Sequence, residues 1–449
     1  MALTGLAIYK LLPKTNCKEC GFPTCLAFAM KLAQKGTELD KCPYVGDEAK
    51  TALDAAAAPP VKLIAIGAGE RAFEIGNEVV LFRHEKTFYH QPGLVVRVKN
   101  DDPQLAEVAG RVAGYEVERV GMTLRLDGLA VEHAGGDAAA YAAAVAAARA
   151  AAPGLPLVLM SGDAAAIDAA LAGGAAAEKP LVHAATAANW QAMADVAKKH
   201  DCPLAIRAAA GDLAGLVELS ESVRGAGVED LLLDPATTDL AGDLVALTQL
   251  RRLALKKGAR ALGYPIVADA AAPTWQAELI RATQAVAKYG GVVIMDHLEP
   301  AAAYALLTLR QNVYTDPQKP IQVEPKLYEV GTAGPDSPVL ITTNFSLTYF
   351  SVSGEVEGAG VPAWLLVADS DGQSVLTGWA AGKFDAEKIA KTVKDSGIES
   401  RINHKKLVIP GHVAGLSGEV EEELPGWQIM VGPRDAVDIP NYLKNVWSA

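Results

Sequence analysis

Cysteine is scarce: the 449-residue sequence has five, too few for a disulfide-stapled scaffold. An excess of basic charge is also missing. Lysine and arginine total 41 against 53 acidic residues, a balance of 41 − 53 = −12, so the basic stripe that grips nucleic-acid phosphates is not expected. No apolar run approaches the ~18 residues that a membrane-spanning helix needs, so no membrane span is expected. Met1 to Pro13 has a short apolar stretch with no basic segment before it and no small-residue cleavage site after it. It does not read as a signal peptide, and the expected compartment is the cytoplasm. No HExxH pattern and no nucleophile with a base at fixed spacing stand out.

What is present is globular. Half of the residues are apolar (50%) and 21% are charged, which supplies several cores and argues against disorder. At roughly 150 residues per domain, this length suggests two to four domains.

The cysteines are unevenly placed. Cys17, Cys20, Cys25 and Cys42 follow the spacing C-x2-C-x4-C-x16-C, and Cys202 stands apart. Gly21 and Pro23 supply turn chemistry between Cys20 and Cys25, and Pro43 follows the fourth cysteine. Four thiolates suit a [4Fe–4S] cluster, which tolerates irregular spacing and whose last cysteine is often followed by proline. A structural zinc site is the competing choice, although zinc ribbons usually present two C-x2-C pairs and only one is here. Two disulfides would not suit a cytoplasmic chain. Cys202 opens an apolar stretch and reads as packing.

Residues 51–60 read TALDAAAAPP, a small-residue linker that sets off a metal-binding module over residues 1–57. Beyond it KLIAIGAG, NEVVLFRH and GLVVRV look like strands. Gly67, Gly69 and Ala72 form a GxGxxA, but no helical periodicity follows, so a dinucleotide site is not expected. From Leu126 to Pro325 eight apolar runs alternate with Ala-rich amphipathic stretches: LDGLAVEH, LPLVLMSG, KPLVHAAT, CPLAIRAA, VEDLLLDPA, YPIVADAA, GVVIMDH and KPIQVEP. Strands buried on both faces and alternating with helices demand parallel pairing. Eight such units fit a (β/α)8 TIM-like barrel, placed over residues 61–325 with an N-terminal strand extension. Glu132, His133, Ser161, His183, Arg207, Asp234, Asp269, Asp296 and His297 fall at strand ends. That face is where barrels place chemistry, yet polar ends alone are equally a capping rim.

The stretch 311–338 carries five prolines and marks a boundary near residue 328. Over 328–449 four strand-loop-helix units follow, as a doubly wound, Rossmann-like α/β domain would require. Its strand-end loops hold Thr343, Asn344, Ser346 and Thr348, then Ser370, Asp371, Gly372, Gln373, Ser374, Thr377 and Gly378, then Gly411 and Gly415, and finally Gly432 and Pro433. Hydroxyls and glycines with little charge suit a large, mostly uncharged ligand, and no P-loop lysine is present for a bare phosphate. Ordinary surface loops share that polarity.

The opening YKLLPKTNCKECGFPTCLAFAMKLAQKGTELDKCP and the later ADSDGQSVLTGWAAGKF resemble the large (gamma) subunit of the corrinoid iron–sulfur protein of the acetyl-CoA (Wood–Ljungdahl) pathway. The resemblance runs over the whole chain and implies a [4Fe–4S] cluster on Cys17, Cys20, Cys25 and Cys42. It implies a corrinoid held by the C-terminal loops just named and a smaller corrinoid iron–sulfur subunit as heterodimer partner. It also implies a methyl carrier. Cobalt, as Co(I), would take a methyl group from methyltetrahydrofolate through a methyltransferase and deliver it to the nickel cluster of acetyl-CoA synthase. The iron–sulfur cluster, fed by a low-potential donor, would return inactive Co(II) to Co(I). Many corrinoid proteins coordinate cobalt through D-x-H-x-x-G, but here Pro410 stands in the Asp position before His412. Without a carboxylate to orient the imidazole, a base-off corrinoid without a histidine ligand is expected, with Ser374 or Thr377 as the lower-face contact. Two other classes are a ferredoxin-like electron carrier fused to a barrel enzyme and a zinc-stapled scaffold.

Overall fold

Short helices need caps and packing to exist at all, and the N-terminal module shows both. Helix α1 (Gly5–Leu11) packs near α2 (Cys25–Ala33) through Ile8, Leu12, Phe28, Ala29 and Val45, with Cys25 and Cys42 in the same apolar cluster. Thr24 Oγ1 accepts the Ala27 N–H (3.1 Å) and starts α2. This computed structural model describes residues 5–33, 37–46, 50, 59–316 and 320–447. They fall into two units, 1–115 with 125–314, and 116–124 with 315–449.

In the first unit β1 (Ile64–Ile66) and β2 (Phe73–Ile75) form an antiparallel hairpin around Gly67, Gly69 and Ala72. No helix follows the GxGxxA, so the dinucleotide reading fails where the sequence placed its failure. NEVVLFRH forms no strand, a correction: its apolar residues line irregular backbone tied down by the Glu78 side chain, which accepts N–H groups of Tyr89 and His90. Next come β3 (Gly93–Lys99), α3 (Leu105–Ala113), the short β4 (Glu116–Arg119) and β5 (Met122–Arg125), and β6 (Gly128–Glu132). Strand-helix pairs then continue with α4 (Ala138–Ala151), β7 (Leu157–Met160), α5 (Ala164–Ala172), β8 (Leu181–Ala185), α6 (Trp190–His200), β9 (Leu204–Arg207) and α7 (Leu213–Gly225). The last are β10 (Leu231–Asp234), α8 (Leu240–Arg252), β11 (Ile266–Asp269), α9 (Trp275–Ala287), β12 (Gly290–Met295) and α10 (Pro300–Val313).

Strands β3, β6, β7, β8, β9, β10, β11 and β12 close into an eight-stranded barrel, all neighbours parallel, with β12 returning to β3. The eighth strand is therefore GLVVRVK, ahead of the run in sequence, and not KPIQVEP. Residues 320–325 hold only an isolated bridge from Gln322 to Phe345; their prolines remove the donors a barrel strand would need. The Ala-rich helices start cleanly because Asp137, Asp163, Asp212 and Asp239 accept N–H groups of their first turns. Each such cap is worth ~1 kcal/mol.

In the second unit, the β4–β5 turn at Val120 and Gly121 packs on Val323 and Tyr328. The main sheet is built from β13 (Leu327–Val330), β14 (Val339–Thr343), β15 (Ala363–Ala368), β16 (Lys406–Ile409) and β17 (Gln428–Val431). The order is β13-β15-β14-β16-β17, with β13 antiparallel at one edge and the other four parallel. Successive residues alternate between two cores, as the strand period requires. Ile341, Leu366 and Ile409 join α13 (Ala386–Asp395) and α14 (Ser417–Glu423) on one face. Leu340, Leu365 and Val408 join α11 (Ser346–Ala359) and α15 (Ile439–Asn445) on the other. The short α12 (Val375–Ala380) follows β15. Among the described residues no helix is long and apolar enough to cross a membrane.

Candidate functional site

The four N-terminal cysteines lie in one module but in different surroundings. Cys17 is exposed, Cys20 intermediate, and Cys25 and Cys42 buried, all four as free thiols. Cys20, Cys25 and Cys42 meet in one apolar cluster. The loop before α2 is wound by left-handed backbone at Asn16, Lys18 and Gly21, and the Asn16 side-chain oxygen accepts the Cys25 N–H (2.8 Å). Among the described residues no three His, Cys, Asp or Glu side chains stand at the spacing of a bound ion. The donor set itself fits a cluster: four thiols, no histidine, and one apolar wall. Thiolates are drawn together by the metal they bind rather than held preformed.

The second place is where the C-terminal sheet splits. Strands β14 and β16 are registered through Leu340 and Val408, and the pairing does not extend to their carboxyl ends. The chain leaves β14 for β15 on one side and reaches β16 on the other, so the loops at the strand ends diverge. Ligands of open α/β sheets sit at such a point. A cavity of about 360 Å³ opens there, lined by Thr342, Thr348, Ser351, Ser374, His412 and Arg434 among others. Thr342 and Thr343 are almost wholly buried, yet their hydroxyls have no partner, nor does the Gln373 side-chain oxygen. In this unit these are the buried side-chain atoms left unpaired among the described residues, and all three lie at the same strand ends.

The expected site residues divide into lining and scaffold. Thr348, Ser374, Gly432 and Pro433 line the cavity. Asn344 does not; it is a buried hub. Its side-chain oxygen accepts the Ser370 N–H (2.9 Å), the Ser370 hydroxyl (2.9 Å) and the Gly372 N–H (3.0 Å), and its amide donates to Gln322 (3.0 Å). That fixes the 369–373 loop, where Asp371 and Gly372 take left-handed backbone and Asp371 pairs with Lys383 at 3.1 Å. Ser374 and Thr377 hydroxyls face each other at 3.0 Å, and the Gly378 N–H donates to the Ser374 carbonyl (2.7 Å). Ser346 opens α11, its N–H donated to the Ile321 carbonyl. Gly411 lets two loops touch: a Cβ there would lie 2.5 Å from the Gly432 carbonyl oxygen. Gly415 faces open space.

Sequence reasoning missed Thr342, Ser351 and Arg434. Ser351 follows Thr348 by one helical turn, a signal that was available once α11 was placed at the strand end. Leu347 and Leu376 of the cavity lining are exposed, beside the polar His412, Arg434 and Asp435. Exposed apolar side chains at a cavity suit cover by a ligand or partner.

The barrel mouth is different. Arg97 on β3 pairs with Asp296 (2.7 Å) and Asp269 (3.0 Å), with Glu132 at 4.0 Å. Burial would lower the Arg97 pKa, but these carboxylates raise it, so it stays a guanidinium. His183 holds Asp234 at 2.7 Å with Arg207 at 3.6 Å, and His133 holds Ser161 at 2.9 Å. Asp296 and His297 donate their N–H groups to Glu278. Each of these groups has a polar partner, and two cavities found in this unit measure only about 30 and 10 Å³. Neither is near the size of a ligand pocket.

Comparison with known proteins follows this division. A family model described as CO dehydrogenase/acetyl-CoA synthase delta subunit matches residues 63–443, and one described as "Putative Fe-S cluster" matches residues 12–44. The chain is 46% identical over 451 residues to the corrinoid/iron-sulfur protein large subunit of Moorella thermoacetica, covering 99% of each chain. It is 38% identical to the acetyl-CoA decarbonylase/synthase complex subunit gamma of Methanopyrus kandleri, covering 98% of this chain and 97% of that one. The gamma subunit of Archaeoglobus fulgidus is 37% identical, with 98% of each chain covered. The chain belongs to the family of corrinoid/iron-sulfur protein large subunits and acetyl-CoA decarbonylase/synthase gamma subunits.

Proposed function

We propose that this chain is a methyl-group carrier with a built-in reductive arm, in three domains over 1–57, 61–325 and 328–449. The observation that carries the reading is the buried, unpaired Thr342 hydroxyl in the wall of the cavity at the split between β14 and β16, with Thr343 and Gln373 unpaired at the neighbouring strand ends. Buried hydroxyls without partners cost about 1–3 kcal/mol each, a cost that a ligand's polar groups would remove.

The C-terminal domain, doubly wound and Rossmann-like, would take a corrinoid. At about 360 Å³ the cavity admits only a part of so large a molecule. The rest would lie over the loops with Thr343–Thr348, Ser370–Gly378, Gly411, Gly415, Gly432 and Pro433. Ser374 and Thr377, already facing each other, would offer hydroxyls to the lower face. His412 is a wall residue, because Pro410 gives it no orienting carboxylate, and the cofactor is base-off. Cys17, Cys20, Cys25 and Cys42 would hold a [4Fe–4S] cluster. When bound, the cobalt supplies the methyl-carrying centre and the cluster the electron that restores Co(I). The exposed Leu347 and Leu376 of the lining suit a smaller subunit completing the site, with a methyltetrahydrofolate methyltransferase and acetyl-CoA synthase visiting in turn. The barrel mouth, whose polar side chains pair with one another, disfavours an electron carrier fused to a barrel enzyme.

The test is metal analysis of the protein purified without oxygen together with its partner. About four Fe and one Co per chain are expected. Cys42→Ser should lose iron and keep cobalt, and Ser351→Trp, which plugs the cavity, should lose cobalt and keep iron. Zinc in place of iron, or cobalt indifferent to the plug, would overturn the reading.

A further inference from the structure

The module over residues 1–57 contains seven lysines and no arginine against six acidic residues, a balance of 7 − 6 = +1. The remaining residues hold 41 − 7 = 34 basic and 53 − 6 = 47 acidic groups, a balance of −13. Within the module the charges are segregated. Lys10, Lys14 and Lys18 precede any carboxylate in the sequence, whereas Glu38 and Asp40 lie just before Cys42. Glu19, the nearest carboxylate to Cys17 in sequence, accepts a hydrogen bond from Tyr44 (2.8 Å).

Exposure runs the same way. Cys17 is exposed together with Lys10, Lys14 and Lys18, while Cys25 and Cys42 are each only 5% exposed. None of these three lysines forms an ion pair with another described residue; Lys14 rests over the Tyr9 ring at 5.7 Å. The loop that carries two of them is pinned to α2 by the Asn16 contact with Cys25. One ligand position is therefore exposed, in a segment whose three lysines form no ion pair among the described residues, on an otherwise acidic chain.

We propose that the Cys17 edge, with Lys10, Lys14 and Lys18, is the docking face for an acidic one-electron carrier protein. The inference rests on the reading that the four cysteines hold an iron–sulfur cluster. Electron transfer weakens steeply with distance, so the exposed ligand is the shortest entry. Redox encounters use small interfaces and rely on charge for orientation and rate. The step is a single electron: the carrier is oxidised by one, the cluster reduced by one, and no bond or proton moves. An acidic carrier would otherwise be repelled by the −13 of the remaining chain.

The experiment compares wild type with Lys14→Glu/Lys18→Glu in the full complex, following the loss of the cluster's visible absorbance by stopped flow. Two reductants are used: reduced flavodoxin, an acidic protein, and reduced methyl viologen, a small cation. The charge reversal should slow flavodoxin at least ~10-fold at low salt. The gap should close at roughly 0.5 M salt, where the Debye length is a few ångströms. The viologen rate should not fall, and Lys14→Gln/Lys18→Gln should be intermediate. A flavodoxin rate indifferent to the substitutions overturns the docking face, and so does an equal fall with both reductants. A wild-type module with no reducible iron refutes the cluster reading instead, and the docking face with it.

Discussion

Asn344 offers a measurement in which structure fixes the magnitude. Its side-chain oxygen holds the Ser370 and Gly372 N–H groups at 2.9 and 3.0 Å, and both bonds are buried. Asn344→Leu keeps the volume and removes the acceptor. The Ser370 hydroxyl retains the Gln373 carbonyl at 2.8 Å, so two backbone donors lose this partner. The amide's own contact with Asp369 is dispensable, since Asp369 is exposed and can turn to water. Leaving a buried donor unpaired costs about 1–3 kcal/mol, so with two donors the loop should open more easily by about 2–6 kcal/mol. At 1.4 kcal/mol per tenfold, that is roughly 30- to 20,000-fold faster amide exchange. Hydrogen exchange read by mass spectrometry on peptides spanning residues 369–374 measures it, with β7 of the barrel as an unchanged internal reference. Asn344→Asp keeps the acceptor and should lose less protection. Protection at Ser370 and Gly372 within threefold of wild type in Asn344→Leu would show that the hub does not hold the loop.

Two other sites give independent checks. Burial pushes the Asp234 carboxyl up, but the His183 hydrogen bond and the Arg207 charge outweigh it and hold the pKa below the ordinary range. A lowered folded pKa stabilises above the unfolded value and is lost as pH falls through the folded one. Asp234→Asn should therefore cost about 2 kcal/mol at pH 7, with the gap narrowing below about pH 4; urea titrations at both pH values decide, and a constant gap refutes the charge assignment. Cys202 is only 4% exposed, and burial, with Asp201 beside it, pushes its thiol up to about 11. Iodoacetamide at pH 8 should label it only after denaturation, which peptide mass spectrometry reports; native labelling at a free-thiol rate would refute the packing role.

The barrel was legible because its strands are short, mainly apolar runs such as Leu157–Met160 and Gly290–Met295 set between Ala-rich helices. Its first strand was legible as a strand but not as a barrel member. Between β3 and β6 the chain inserts α3 and then a hairpin over Glu116–Leu124 that belongs to the other unit. Local periodicity carries no record of which core a segment joins. KPIQVEP took its place in the count because its apolar residues recur at strand spacing, while its prolines argued the other way. Spacing alone singled out the four-cysteine module, though not which metal its thiols take. The loops at the C-terminal strand ends were legible too, but not their internal bonding: Asn344 and Ser370 are hydrophilic in sequence and buried in structure, where they bond to each other.

That difference locates function better than polarity does. At the barrel mouth Arg97, Asp269, Asp296, His183, Asp234 and Arg207 are as polar as any active site, yet they pair with one another. Such pairing stabilises the barrel's open end. At the split sheet the same kind of chain does the reverse. It builds a bonded frame from Asn344, Ser370 and Gly372 and, beside it, leaves the Thr342, Thr343 and Gln373 oxygens buried and unpaired. Buried polar groups are mostly paired in proteins, so an unpaired hydroxyl in a cavity wall, as at Thr342, needs a cause. A frame that is rigid around unsatisfied hydroxyls is what a site needs if its ligand is to supply the missing partners.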